Sequence, residues 1–355
     1  MTRFHISSVG ESVKSILVTG AAGFIGSAFV REALNNKAKV VMYDALTYAG
    51  HMPNIEDCLK PGRCEFVKAD IRDFDVALAT LKKYEITHIV NFAAESHVDN
   101  SIHGPKLFLE TNIMGTFSML EAARSHWTLL DGPTKDNFRF LQVSTDEVFG
   151  ELEDEGYFTE ESRYQPNSPY SASKAASDHL VRAWAHTYKL PVIITNCSNN
   201  YGPRQFPEKL IPRMITCALA ELPLPVYGKG ANVRDWIHVE DHAAGVWKAL
   251  FDGELGESYC FGGRSERKNL VVVQTICEIL DELKPRAGGK KYSELISFVT
   301  DRAGHDWRYA IDDSKSEQRL GFNRKYTSFE NGLRQTVAWY LDNQPWIASV
   351  KEKAK

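Results

Sequence analysis

Tyr170 and Lys174, in the stretch SPYSASKAASDHL, stand four residues apart, which puts both side chains on one face of a helix. A phenol with a pKa of about 10 is a poor base at neutral pH, but a neighbouring positive charge stabilises the phenolate and lowers that value. Upstream, VSTDEVFG carries Thr145, Asp146 and Glu147: a hydroxyl and two adjacent carboxylates directly after the apolar run FRFLQVST. Ionisable groups at the end of a core strand are either salt-bridged at the surface or suited to acid and base work. Two carboxyl groups divide such work only if their surroundings push their pKa values apart. Most Tyr-x-x-x-Lys pairs face solvent, so the pattern takes its meaning from its surroundings.

The elements that must position these groups are legible from periodicity. SILVTG, KVVMYD, CEFVKAD, THIVNFAA, FRFLQVST and LPVIITN are short runs rich in Val, Ile and Phe. Helical stretches such as GFIGSAFVREALNN, FDVALATLKKYE and LFLETNIMGTFSMLEAARSHW separate them. Near-continuous apolar strands alternating with helices predict an α/β fold, a Rossmann-type doubly wound parallel sheet covered on both faces. After Tyr201-Gly202-Pro203 prolines cluster and strands become short, yet DHAAGVWKALFDG reads as a helix and ESYCFGG as a strand. The expected organisation is therefore a leader over 1–14, a dinucleotide domain over 15–200 with 241–263 returning to it, and a smaller interleaved domain over 201–240 and 264–355.

Between the first strand and the first helix, VTGAAGFIG places Gly20, Gly23 and Gly26 where a tight turn lets the backbone approach a pyrophosphate at a helix N-terminus. Asp44 closes the second strand ~20 residues on, where a carboxylate accepts hydrogen bonds from adenosine ribose hydroxyls and repels a 2′-phosphate. That favours NAD over NADP. Asp70 ends the third strand, on the adenine side. A positive nicotinamide ring near Tyr170 would add to the effect of Lys174.

Composition agrees with a soluble enzyme. The 355 residues are 43% hydrophobic and 25% charged with net charge −4, and no basic block points to nucleic acid or an anionic membrane. The six cysteines form no C-x-x-C pair and the histidines no zinc-like spacing, so no metal site is expected. The polar N-terminus lacks a secretory h-region and no apolar run reaches the ~20 residues of a membrane span, so the expected location is the cytoplasm.

A glycine turn, a Tyr-x-x-x-Lys helix and a hydroxyl residue closing the preceding strand together resemble the short-chain dehydrogenase/reductase superfamily, in which such groups oxidise or reduce a carbinol. An enzyme that only moved hydride, or only epimerised a carbon, has no need of Asp146 and Glu147. A dehydratase has: once C4 of a hexose is a ketone the C5 proton is acidic, and one carboxylate can remove it while a protonated carboxyl serves the departing C6 hydroxyl. From Ser15 to about Trp346 the chain resembles the nucleoside-diphosphate-glucose 4,6-dehydratases, nearest to those acting on dTDP-glucose. The matching stretches are TGAAGFIGS, DALTYAG, AAESHVDNSI, ETNIMGT, STDEVFGE, SPYSASKAASDHL, TNCSNNYGPRQFPEKLIP, LPVYGKGANVRDWIHVEDH and DRAGHDWRYAID.

The resemblance implies roles. Tyr170, helped by Thr145 and Lys174, takes the C4 hydroxyl proton as hydride passes to NAD; Glu147 removes the C5 proton, Asp146 protonates the leaving C6 oxygen, and hydride returns to C6 from a cofactor that stays bound. NAD would be held by Gly20, Gly23, Phe24, Ile25, Gly26, Asp44, Leu46, Thr47, Asp70, Ile71, Ala93, Ala94, Thr111, Tyr170, Lys174 and Asn200. The sugar nucleotide would meet Ser96, Thr145, Asn199, Lys209, Leu210, Pro225, Tyr227, Arg234, Asn269 and His305, with Lys209 and Arg234 suited to phosphate oxygens. Pairing of the 107–127 stretch and the Tyr170–Tyr188 helix with a second copy would give a homodimer. The sequence departs from the family at Ala45 (usually Lys), Phe149 (usually Tyr), Ala303 (usually Pro) and Trp307 (usually Arg). The alternatives are a UDP-glucose 4,6-dehydratase, a UDP-sugar 4-epimerase, and a catalytically silent sugar-nucleotide sensor.

Overall fold

The computed structural model describes residues 14–301 and 304–353. Nearly all of the leader, and Ala303, lie outside these described residues. Strands Ser15–Thr19 (β1), Lys39–Asp44 (β2), Cys64–Lys68 (β3), His88–Asn91 (β4), Arg139–Thr145 (β5) and Val192–Cys197 (β6) join Ser258–Phe261 in a seven-stranded sheet. Across the sheet the order is Ser258–Phe261, β6, β5, β4, β1, β2, β3, with every neighbouring pair parallel. This is the doubly wound sheet that the alternating pattern predicts. The winding reverses between β1 and β4, and such sheets open a crevice beyond the carboxyl ends of the strands at that point.

Both faces are covered, which explains why the strands read as continuous apolar runs rather than alternating ones. Ile16, Val18, Val40 and Leu141 point to one side, under the Phe24–Asn35 and Val239–Asp252 helices. Leu17, Val41, Ile89 and Phe140 point to the other, under helices Phe74–Lys83, Thr116–Trp127 and Pro169–Tyr188. Near the carboxyl ends the sheet carries a buried polar bridge: Thr19 Oγ1 donates to Asn91 Oδ1 (2.6 Å), and Asn91 Nδ2 donates to Gln142 Oε1 (2.8 Å). Each buried polar atom of that bridge has its partner, as burial requires.

The Pro169–Tyr188 helix starts where its sequence says it should. Ser168 caps it by accepting from Ser171 N (3.0 Å), Ser171 Oγ accepts in return from Ser168 N (3.0 Å), and proline occupies the first turn. Small buried residues Ser171, Ser173 and Ser177 let the helix lie close to its neighbours. The 107–127 stretch, expected as one helix, is broken in character. Pro105–Phe108 is α-helical, Leu109–Gly115 is a π-helical turn, and Thr116–Trp127 resumes the α-helix. A π turn inserts one residue into a helix without ending its apolar pattern, so periodicity does not reveal it. Here it places Asn112 to accept from Glu95 N (2.8 Å) and to donate to Ser173 Oγ (2.8 Å).

Beyond Asn199 the chain builds two small sheets. Val233–His238 pairs with Asn199–Tyr201 and Glu266–Lys268, and Leu224–Tyr227 pairs with Ile296–Val299. Helices Leu210–Leu219, Asn269–Leu283, Phe329–Asp342 and Gln344–Lys353 surround a separate core of Ile211, Met214, Val273, Leu280, Leu333 and Tyr340. The last helix reaches back to the loop after β2. Trp346 Nε1 donates to Asn54 Oδ1 (2.8 Å), and His51 Nε2 lies 2.9 Å from Ser349 Oγ. Among the described residues no helix is long and apolar enough to cross a membrane.

Candidate active site

The glycine turn sits at the carboxyl end of β1. Gly20 has φ +62°, and a Cβ there would stand 2.8 Å from Ala93 N; a Cβ on Gly26 would stand 2.2 Å from Gly20 O. No side chain fits either place, so the turn packs backbone against backbone. The helix that follows has no side-chain cap at Gly23 and no acidic residue in its first turn. Among the described residues, the helix's own first turn thus offers no side-chain anion to its amino-terminal N–H groups and positive dipole end, an arrangement suited to a bound anion. Asp44 braces the turn from β2: Oδ2 accepts from Ala22 N (2.9 Å) and Oδ1 from Leu46 N (2.7 Å).

A cavity of ≈ 430 Å³ lies over this turn. Its wall includes Gly20, Gly23, Phe24, Ile25, Gly26, Asp44, Thr47, Asp70, Ile71, Ala93, Ala94, Thr111, Tyr170, Lys174 and Asn200. Of the residues expected to hold NAD, Leu46 alone is off this wall. It adopts φ +55°, packs against the core and serves Asp44 through its backbone N–H. Turn, helix terminus and carboxylate fit a dinucleotide. Arg72, which the sequence did not single out, also lines the cavity and grips Asp70 through Nε (3.0 and 3.1 Å) and Nη2 (2.7 Å). Those bonds hold the Asp70 carboxyl below its ordinary range. Ala45 lies on the same wall.

The candidate catalytic groups converge where β5 ends. Asp146 is fully buried, and burial, then Glu147, then Asp235 push its carboxyl well above the usual range. Its Oδ1 accepts from Thr145 Oγ1 (3.2 Å), while Oδ2 meets no hydrogen-bonding partner among the described residues. Glu147 is half-exposed at the cavity wall, its N–H donating to Thr145 Oγ1 (3.3 Å). Two adjacent carboxyls thus have unlike surroundings, and those of Asp146 favour its protonated form.

Tyr170 departs from expectation. Burial, then the charges of Glu147 and Cys197, push its phenol well above 10, with a hydrogen bond from Thr145 opposing. Lys174 does not offset this, because its ammonium donates to Val143 O (2.7 Å) and is itself lowered by burial. The polypeptide's own groups therefore do not make Tyr170 acidic.

A second cavity of ≈ 170 Å³ shares Glu147, Asn199, Glu208 and Lys209 with the first. Leu210, Pro225, Tyr227, Arg234, Asn269 and His305 line it, and Ser96 and Thr145 line the first. Asn200 is fixed by donating to Ser198 O (3.0 Å) and by His242 Nδ1 at 3.0 Å from its Oδ1. Tyr227 donates to Asp99 Oδ2 (3.3 Å), and His305 Nδ1 lies 2.6 Å from Asp301 Oδ1. The two cations expected at phosphate hold backbone carbonyls: Lys209 donates to Ser96 O (2.6 Å), and Arg234 to Val233 O (2.7 Å) and Asp306 O (2.8 Å). Arg234 also lies 4.1 Å from the centre of the Tyr309 ring. Glu208, on both walls, was not anticipated; a carboxylate flanked by Pro and Lys has no spacing that marks it. Trp307 lies off both walls and donates its indole N–H to Asp154 Oδ1 (3.1 Å). Phe149 packs against Phe158 and Tyr164 in a buried apolar cluster, where a hydroxyl would need a partner.

The sequence model described as GDP-mannose 4,6 dehydratase matches residues 17–336. The chain belongs to that dehydratase family. Within the GDP-mannose 4,6 dehydratase family, the chain is 55% identical over 334 residues to the dTDP-glucose 4,6-dehydratase of Xanthomonas campestris, covering 94% of this chain and 95% of the relative. It is 51% identical over 349 residues to dTDP-glucose 4,6-dehydratase 1 of Escherichia coli, covering 96% of each. The Streptomyces venezuelae dTDP-glucose 4,6-dehydratase, solved with NAD and TDP bound, superposes with a TM-score of 0.85 at 43% identity, covering 94% of this chain and 98% of that one.

Proposed function

We propose that the protein is an NAD-dependent dTDP-glucose 4,6-dehydratase that forms the 4-keto-6-deoxy sugar nucleotide. The observation that carries the reading is the carboxyl pair at the end of β5, with Asp146 fully buried and its carboxyl pushed well above the usual range, while Glu147 lines both cavities. A 4-epimerase has no step that uses such a pair.

NAD held over the glycine turn would supply the hydride acceptor and donor for C4 and C6, and a positive charge. Tyr170 takes the C4 hydroxyl proton, helped by Thr145. Glu147 removes the C5 proton and Asp146 donates to the C6 oxygen, so one water leaves; after C6 is reduced, Glu147 returns a proton, by then exchanged with solvent, to C5. The phenol of Tyr170, raised by burial, would need a positive charge beyond Lys174 to reach working range, which a bound NAD would supply. Gly20, Gly23, Gly26 and Asp44 hold the dinucleotide; Lys209, Tyr227, Arg234, Asn269 and His305 hold the nucleotide diphosphate. In this reading residues 15–200 and 241–263 carry the cofactor, and 201–240 with 264–355 carry the substrate.

The protein acts in the cytoplasm as a homodimer. Supporting the dimer, Leu109, Met114 and Phe117 are 47%, 53% and 37% exposed on the 109–127 segment, and the Phe117 ring meets Trp184 of the Pro169–Tyr188 helix edge-on. An apolar patch spanning two long helices is suited to burial against a second copy.

The test incubates purified protein with dTDP-glucose, and separately UDP-glucose, in deuterated water without added cofactor. Loss of one water with one deuterium gained at C5 is expected, faster for the thymidine nucleotide. Because one methyl group is worth only ~1–3 kcal/mol in a pocket, the ratio of rates decides the base. Conversion to a galactose isomer without mass loss would overturn the reading.

A further inference from the structure

Asp178 lies four residues beyond Lys174 and eight beyond Tyr170 on the Pro169–Tyr188 helix, so the three share one face. It is fully buried, a costly place for a carboxyl unless it is paired. Its Oδ2 accepts from Ser144 Oγ (2.5 Å) and from Tyr164 OH (3.0 Å), while its Oδ1 has no hydrogen-bond partner among the described residues. Ser144 stands on β5 between Val143, whose carbonyl accepts from Lys174, and Thr145. Consecutive residues of one strand thus hold consecutive turns of one helix, with the catalytic group Thr145 at the end of the row. Nothing in the proposed reaction uses Asp178.

Charges around the pair come from several elements. Lys174 is acted on by Asp178 from its own helix and by Cys197 from β6. Asp178 is acted on by Lys174 and Arg182 of its helix, by Tyr164 from the preceding loop and by Ser144 from β5. Burial works against the Lys174 ammonium, and Asp178 is the strongest group favouring it. Burial likewise raises the Asp178 carboxyl, and Lys174 is the strongest group opposing that rise.

We infer that Asp178 is a positioning residue for the reaction: as a buried carboxylate it holds Lys174 as an ammonium and locks the catalytic helix to β5 through Ser144. The inference rests on the dehydratase reading, in which Lys174 supports Tyr170. A phenolate beside an ammonium and a phenol beside a neutral amine carry the same number of protons, so pH alone does not choose between them. A negative charge nearer to Lys174 than to Tyr170 favours the first, which is the active form.

The variant Asp178→Asn therefore has a signature that simple loss of packing lacks. Removing the charge shifts the pair toward the phenol–amine form, so plateau kcat falls about tenfold with KM little changed. It also makes the Tyr170–Lys174 pair lose its first proton more easily, so the acid limb of the kcat–pH profile moves down by about one unit, the lower end of the effect of a nearby charge. Tyr164→Phe removes one donor and leaves the carboxyl, and moves the limb the same way by less; it carries the test if Asp178→Asn does not fold. A profile unmoved in the folded variants, whatever their rate, would overturn the proposal. Lys174→Met separates it from the reading beneath: an inactive Lys174→Met beside an unmoved Asp178→Asn profile rejects the role of Asp178 alone, whereas a fully active Lys174→Met rejects both.

Discussion

At the scale of single residues the site turns on the unequal treatment of two neighbours. Asp146 and Glu147 were legible in the sequence because they are contiguous and follow a strand; the resemblance named Asp146 as the proton donor, but the physical cause was out of reach, since it lies in burial and in Asp235 from a distant strand. Replacing Glu147 by Gln is expected to lower turnover at least ~100-fold, the usual worth of a positioned base, and to abolish deuterium uptake at C5. Replacing Asp146 by Asn should preserve C5 exchange while blocking loss of water. In the parent enzyme turnover should fall as pH rises through the elevated pKa of Asp146, because an ionised carboxylate has no proton to give. Mass spectrometry of product and recovered substrate across pH checks all three. Arg72, Glu208 and the carbonyl bond of Lys174 could not be read beforehand, because each depends on which strand ends the fold brings together.

At the scale of elements the glycine turn and the Tyr170 helix were the most readable parts, since both use local rules: glycine where no Cβ fits, and serine with proline where a helix begins. The π turn was hidden, because one inserted residue leaves the apolar stripe of 107–127 almost unchanged while swinging Asn112 onto Glu95 and Ser173. The turn makes the sharper prediction. A methyl group on Gly26 would press against Gly20 O at 2.2 Å, and that oxygen already accepts from Gly23 N (3.0 Å). Gly26→Ala should cost about 1–3 kcal/mol in denaturant unfolding, typical of forced overpacking, and should yield protein stripped of nucleotide after gel filtration. An unshifted unfolding midpoint with full nucleotide content would mean that the turn yields more readily than its contacts indicate.

At the scale of the whole molecule the sequence conveyed the doubly wound sheet, since continuous apolar strands leave few other arrangements, but not the small sheets, whose strands of three or four residues carry little periodic signal. The exposed apolar stripe on the 109–127 segment belongs to this scale as well. Met114→Glu combined with Phe117→Glu should convert a dimer to a monomer in sedimentation velocity while leaving far-ultraviolet circular dichroism unchanged; a species of constant mass would remove that face as the interface. The contacts of the last helix have a different kind of consequence. Asn54 and His51 lie 292 and 298 residues from the side chains that hold them. Closing so wide a loop is slow, since contacts of large sequence separation are reached only after most of the chain's freedom is gone. As the polypeptide leaves the ribosome, the loop after β2 must wait for almost all the rest to be made, so a chain interrupted before Trp346 would lack the two contacts that tie this loop to the last helix.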